Sequence, residues 1–139
     1  MAAASGAAVH VIGPTGDYPG KQGLTYNTGL STETVGARHV CLTSLTIPPG
    51  GRAKVHYHEG IETVAYVIDG ELVIWYGEQV EHQARVAAGE YLYIPADLPH
   101  APENRGERPC LAVVAHSGGN DQAGIVLLPE LDARLAAAR

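Results

Sequence analysis

The sequence predicts an all-β domain, either a barrel or a sandwich of the jelly-roll type. From residue 38 onward, short runs of β-branched and aromatic residues alternate with turn-forming residues. Only residues 129–139 have the pattern of a helix, with Pro129 suited to the first turn and acidic residues after it. About eight short strands at this spacing, with a single helix, are typical of barrel and jelly-roll folds.

The predicted strands are separated by clear turn signals. Asp69-Gly70 is the strongest hairpin signal in the chain, because this dipeptide favours a two-residue turn between antiparallel strands. An earlier turn is predicted at residues 48–51, where two prolines precede two glycines. The predicted strands cover residues 40–47, 52–58, 62–68, 71–76, 82–86, 90–94, 111–115 and 125–128.

The chain is expected to form one domain with two flanking segments. Its 139 residues are enough to bury roughly two thirds of the surface that the unfolded chain would expose. Residues 10–37 are rich in Gly, Pro and Thr, so residues 1–37 are interpreted as an arm that packs on the barrel. The barrel is assigned to residues 38–128 and a C-terminal tail to residues 129–139, and no internal repeat indicates a second domain.

Charge and composition argue against several classes of function. The formal net charge is −6 and the pI is near 5.5, with scattered Lys and Arg, which argues against a nucleic-acid partner. No apolar run is long enough to cross a membrane, and residues 1–8 lack the features of a signal peptide, so the cytoplasm is predicted. Cys41 and Cys110 are interpreted as buried free thiols in a reducing compartment.

Three histidines and a glutamate form a pattern that predicts a metal site. In an extended strand successive side chains point to opposite faces, so His56 and His58 share one face. The same period of two brings Glu62 to that face if the strand is continuous. His100 follows later, in the segment that begins at Gly89.

These residues resemble the two sequence motifs of the cupin superfamily. The first motif is G-x5-H-x-H-x3 or 4-E-x6-G, and the second is G-x5-P-x-G-x2-H-x3-N. The resemblance implies a double-stranded β-helix barrel that binds one divalent metal inside it through His56, His58, Glu62 and His100. The matching positions are Gly50, His56, His58, Glu62 and Gly70 in the first motif, and Gly89, Pro95, His100 and Asn104 in the second.

The chain departs from these motifs at two places. Seven residues rather than six separate Glu62 from Gly70, and with the four-residue gap the acidic position would fall on Thr63, which has no carboxylate. Glu62 is preferred because it stays in phase with the histidines, and a bulge can absorb the extra residue. Glu59 is the second-choice carboxylate, out of phase. Asp97 stands where the family usually has Gly, a position that Asp tolerates better than most residues.

The predicted ligand set suits a first-row divalent metal such as iron, manganese, nickel, zinc or copper. The ligands alone do not select one of these metals. With four protein ligands an octahedral ion keeps two open positions, and the site would carry a net charge near +1. We therefore expect a small-molecule ligand that is anionic or chelates the metal through oxygen.

Three further residues are candidates for contact with the substrate. Lys54 and Arg52 precede His56 by two and four residues, so either could face an anionic substrate at the mouth of the barrel or be solvated at the end of the strand. Tyr66 shares the phase of the predicted acidic ligand. His116 ends an apolar strand and could point inward, whereas the other histidines are interpreted as surface or packed residues.

Two functions are compatible with these observations. The first is a small-molecule metalloenzyme, either a dioxygenase or an isomerase, cyclase or decarboxylase. The alternative is a non-catalytic protein that binds or senses a small ligand. The apolar run at residues 111–115 predicts a sheet exterior that forms a homodimer, which the resemblance also implies.

Overall fold

A computed structural model describes residues 7–138, so part of the predicted arm and the last residue of the tail lie outside the described residues. The described residues form eleven strands and two helices. No helix among them is long and apolar enough to cross a membrane. The elements are β1 (Asp17–Pro19), β2 (Thr25–Leu30), α1 (Thr32–Val35), β3 (Val40–Ile47), β4 (His56–His58), β5 (Thr63–Asp69), β6 (Glu71–Tyr76), β7 (His82–Ala87), β8 (Tyr91–Ile94), β9 (His100–Glu103), β10 (Cys110–Ser117), β11 (Ile125–Leu127) and α2 (Pro129–Ala138).

Two antiparallel sheets face each other, which confirms the predicted all-β jelly-roll fold. One sheet has six strands in the order β1-β2-β3-β10-β5-β8, and the other has five in the order β11-β4-β9-β6-β7. The strand pairs are antiparallel, both between successive strands such as β6 and β7 and between strands far apart in the chain such as β3 and β10. The predicted strands at residues 40–47 and 71–76 have the same bounds as β3 and β6.

The core lies between the sheets, and β10 contributes to it by alternating buried and partly exposed residues. In β10 the residues at positions 110, 112, 114 and 116 are buried, and those between them are partly exposed. Cys41 and Cys110 are both buried and free, which confirms their interpretation as thiols. Ile47 and Val67 are among the largest side chains that are fully buried in the core.

The region interpreted as an arm contributes two strands to the larger sheet. β2 pairs with β3 along five residues, and β1 pairs with β2. The sequence did not predict these strands, because glycine and threonine within residues 25–30 look like turn signals when no partner strand is considered. β9 was also missed, since it follows Pro99 and contains Pro102.

The C-terminal helix α2 packs against the end of the five-stranded sheet, close to β4. Leu135 is buried in a small cluster with Val55, Val80 and Ala101. Asp132 accepts hydrogen bonds from the Val55 N–H at 2.9 Å and from the Arg52 guanidinium at 2.8 Å. The helix therefore fixes the segment that leads into β4.

The Asp69-Gly70 turn requires glycine for two separate reasons. Gly70 has φ of 78°, in the left-handed region that side chains disfavour. A Cβ atom at this position would also lie 2.7 Å from the carbonyl oxygen of Pro109, a backbone atom. This turn is thus packed tightly against the segment before β10. The predicted hairpin is not formed, because β5 and β6 lie in different sheets and pair with other strands.

We expect Gly70→Ala to lower the free energy of unfolding by about 1–3 kcal/mol, because it combines backbone strain with a close contact. Urea denaturation would measure this loss. Gly50→Ala is the matched control, since Gly50 has the same φ of 78° but a Cβ atom added there would have no neighbour within 4 Å. An equal loss in both variants would show that the contact with Pro109 has no effect on stability.

Candidate metal centre

Three buried histidines converge inside the barrel. His56 and His58 lie on β4, and His100 begins the neighbouring strand β9, where it is the register partner of His56. Because residues 56 and 58 are two apart on one strand, both side chains point inward, as predicted. One nitrogen atom from each ring lies within 4.8 Å of the others. The structure thus brings together three of the four predicted ligands.

Backbone carbonyl groups orient two of the three rings. Nδ1 of His56 donates to the carbonyl oxygen of Lys54 at 2.6 Å, and Nδ1 of His100 donates to that of Leu98 at 2.9 Å. A carbonyl oxygen can only accept, so the proton of a neutral ring is on Nδ1 and the lone pair is on Nε2. Hydrogen bonds of this kind are what metal-binding histidines usually make.

Burial keeps the three imidazoles neutral. It lowers the pKa of His56 to about 4, that of His100 to about 3 and that of His58 to about 2. Repulsion between the rings adds to this lowering of the pKa. At neutral pH each ring therefore has a free lone pair, which is the form that binds a metal. Nδ1 of His58 is buried and has no hydrogen-bond partner among the described residues.

The structure does not bring Glu62 to the cluster. β4 ends at His58, a turn with Gly60 at φ of 67° follows, and β5 begins only at Thr63. The strand is therefore not continuous, and the period of two is reset by the turn. Glu62 is exposed, and its carboxylate accepts a hydrogen bond from the hydroxyl of Tyr93. No carboxylate from residues 7–138 joins the three histidines.

Thr63, rather than Glu62, has the inward position that was predicted for the fourth ligand. It is buried, and its hydroxyl lies 2.8 Å from Nδ1 of His116. The ring of His116 is also buried and stacks on that of His58, with 4.7 Å between the ring centroids. His116 thus points inward from the end of β10. The sequence had allowed this orientation, because His116 ends an apolar strand.

The cavity beside the histidines is mostly apolar. Four further polar side chains line it, and none of the residues around it is Lys, Arg, Asp or Glu. Those polar side chains belong to Gln22, Tyr26, Thr63 and His116. The main apolar residues are Leu45, Leu72, Ile74, Ile94, Ala112 and Val114.

The three predicted substrate contacts all lie elsewhere. Lys54 is exposed, and it is the backbone carbonyl of this residue that reaches His56. Arg52 pairs with Asp132 of α2, because the segment before β4 bends toward the helix. Tyr66 contacts Tyr91 on the outer face of the larger sheet, with ring centroids 4.9 Å apart. Tyr66 and Glu62 share one face, as predicted, but this is the outer face of the barrel rather than the inner one.

Two residues of the cavity come from the segment that was interpreted as an arm. Gln22 and Tyr26 are both buried against the barrel interior. Burial raises the pKa of the Tyr26 hydroxyl strongly, so it stays protonated and able to donate a hydrogen bond. The available sequence signal was weak: Leu24 and Tyr26 are apolar residues two apart, a spacing typical of a strand, whereas Gln22 lies in the turn before β2.

The Cupin domain family matches residues 43–116, more than half of the chain. The match begins in β3, ends in β10 and includes all three clustered histidines. A related protein is the tetracenomycin polyketide synthase protein TcmJ of Streptomyces glaucescens. It is 31% identical over 114 residues, which cover 81% of this chain and 71% of that protein.

Solved structures of similar proteins share the fold. The protein TT1209 of Thermus thermophilus is 32% identical with a TM-score of 0.53, over 59% of this chain and 75% of that one. An oxalate oxidase, solved with the substrate analogue glycolate, is 27% identical with a TM-score of 0.63. That match covers 78% of this chain and 57% of the oxalate oxidase chain.

Proposed function

Because this chain belongs to the cupin family, we propose that it binds one divalent transition metal through His56, His58 and His100 and uses it in chemistry on a small molecule. The observation that supports this most directly is the orientation of the rings. Two of them donate Nδ1–H to backbone carbonyl groups, and all three are neutral inside the barrel. Such a donor set fits a metal cofactor of the class predicted, namely iron, manganese, nickel, zinc or copper.

The absence of a nearby carboxylate among residues 7–138 changes the expected charge of the site. Three neutral imidazoles leave the full +2 charge of a divalent ion, whereas the predicted glutamate would have reduced it to +1. A bound metal would supply a Lewis acid for an oxygen atom of the ligand. The apolar walls keep bulk water away from this oxygen, and Thr63 holds His116 beside the cluster.

We propose an enzyme of the dioxygenase type, or an isomerase, cyclase or decarboxylase, as the first function. The similarity to a polyketide synthase protein and to an oxalate oxidase supports a catalytic role. A second candidate is a protein that binds or senses a small ligand without converting it. This candidate is favoured by one observation: Lys54, Arg52 and Tyr66 all lie outside the cavity.

We also propose a homodimer that forms through the outer face of the six-stranded sheet. In one row across this face Leu42 lies opposite Ala115, Ala115 opposite Val64, and Val64 opposite Tyr93. Leu42, Val64 and Tyr93 are among the exposed large apolar residues. A contiguous apolar face of this kind is typical of a protein–protein contact. The buried thiols are consistent with the cytoplasm as the proposed compartment.

We expect the protein to bind one divalent metal ion per chain, and His100→Ala to weaken this binding by at least about 100-fold. Equilibrium dialysis with elemental analysis would measure the change. Glu62→Gln should keep the affinity of the wild type, since Glu62 faces Tyr93 rather than the histidines. His39→Ala is the control for loss of an exposed histidine. An equal loss in Glu62→Gln and His100→Ala would show that Glu62 is a ligand after all.

A comparison of recovered and converted compounds would separate the two functions. The protein loaded with iron(II), manganese(II) or nickel(II) is incubated with phenols, diketones, carboxylic acids and sugars, and each mixture is analysed by mass spectrometry. An enzyme converts at least one compound, and His100→Ala abolishes the conversion. Compounds that bind but are recovered unchanged with every metal would favour the binding protein.

Sedimentation velocity at micromolar concentration should show a dimer. Val64→Lys places a charge in the middle of the apolar row and should weaken the association by at least about tenfold. Gln83→Lys adds the same charge to the exposed face of the other sheet and should leave the dimer intact. A monomeric wild type, or equal weakening by both variants, would contradict the proposed interface.

A further inference from the structure

A second pocket adjoins the histidine cluster where the barrel is open at its side. β8 is the edge strand of the larger sheet and β7 that of the smaller sheet. The pocket between them has a volume of about 350 Å³. Ile74, Leu92, Ile94 and His100 line both this outer pocket and the cavity beside the histidines. His100 therefore lies at the boundary between the two spaces.

The cavity beside the histidines and the outer pocket differ in volume, so they can hold different parts of a ligand. The inner cavity has a volume of about 50 Å³, room for one or two water molecules but not for an organic substrate. The outer pocket is within the range of roughly 300–1,000 Å³ that small-molecule sites have. The body of a ligand must therefore lie in the outer pocket, and only a small polar group can reach the histidines.

The chemistry of the outer pocket restricts the ligand further. No Lys, Arg, Asp or Glu is among the residues that line it. Ala84, Leu92 and Leu98 supply apolar walls, and Tyr76 supplies an aromatic ring. An ionised group in this pocket would lose its hydration and find no side chain of opposite charge, which is costly.

We propose that the outer pocket binds the ring of a hydroxylated aromatic compound, whose hydroxyl oxygen points past His100 toward the cluster. A neutral hydroxyl is moved into an apolar pocket at a much lower cost than a carboxylate or a phosphate. The ring of Tyr76 favours a flat aromatic body, because aromatic pairs gain energy beyond their buried area. The contact between the hydroxyl oxygen and a metal rests on the proposed function, whereas the contact between the ring and the pocket does not.

The outer pocket differs from one suited to a small dicarboxylate. Oxalate has two carboxylates and no apolar surface, so it gains nothing from the apolar walls, and the outer pocket offers no cation for a carboxylate that lies away from the metal. The similar oxalate oxidase was solved with glycolate, a small acid. We therefore expect this chain to prefer 2-naphthol over oxalate, although both can present an oxygen atom to a metal.

Isothermal titration calorimetry of the zinc-loaded full chain with 2-naphthol tests the proposal. The wild type should bind 2-naphthol more tightly than oxalate or cyclohexanol. Ala84→Phe fills the outer pocket and should weaken 2-naphthol binding at least tenfold without changing the zinc content. Gln83→Phe is the matched control, because residue 83 is exposed on the neighbouring position of β7 and should leave the affinity unchanged.

Parallel titrations of the metal-free chain separate this proposal from the metal site. If the chain binds no zinc but 2-naphthol binding still depends on residue 84, the result contradicts the proposed metal site and supports the proposed pocket. Tighter binding of oxalate, or equal affinities in wild type and Ala84→Phe, overturns the pocket. If Ala84→Phe does not fold, Ala84→Leu replaces it, and the same comparison with Gln83→Leu decides the outcome.

Discussion

Antiparallel pairing of β4 with β9 is the contact on which the candidate site depends. It places His56 opposite His100, so that residues far apart in the chain present their rings to one point. β4 is only three residues long and cannot hold this position alone. The hydrogen bond from Val55 to Asp132 fixes the chain just before β4, and β11 pairs along its other edge. The C-terminal helix is thus part of what positions the cluster.

The apolar interior explains both why the three histidines are neutral and why the site is proposed to prefer certain small molecules. Burying an imidazole without a counter-charge favours its neutral form, so the cluster is ready to bind a metal at neutral pH. The carbonyl groups of Lys54 and Leu98 satisfy the buried Nδ1–H groups and fix the ring orientation. An interior that excludes charge in this way also disfavours ligands that remain charged after they have reached the metal.

Membership of the cupin family accounts for the barrel, but it does not determine the reaction. One fold serves many reactions, and the specific chemistry depends on which side chains surround the bound molecule. Here the surroundings differ from the expected motif at one position: Thr63 faces the interior and pairs with His116, where a carboxylate was expected. The neutral donors and apolar walls are the basis of the proposed preference for oxygen-bearing, largely apolar molecules.

The sequence by itself determined the features that depend on neighbouring residues. The period of two in β10, the presence of a turn at Asp69-Gly70 and the shared face of His56 and His58 all follow from the local backbone, so they were predicted correctly. The hairpin expected across that turn was wrong, because the two flanking strands join different sheets. Only the tertiary structure decided which face a strand presents after an irregular turn, because Gly60 resets the phase and moves Glu62 outside. The pairing of Thr63 with His116, 53 residues away, likewise depends on which strands become neighbours in the sheet. Long-range pairing is set by the packing of the whole barrel, and no local period contains that information.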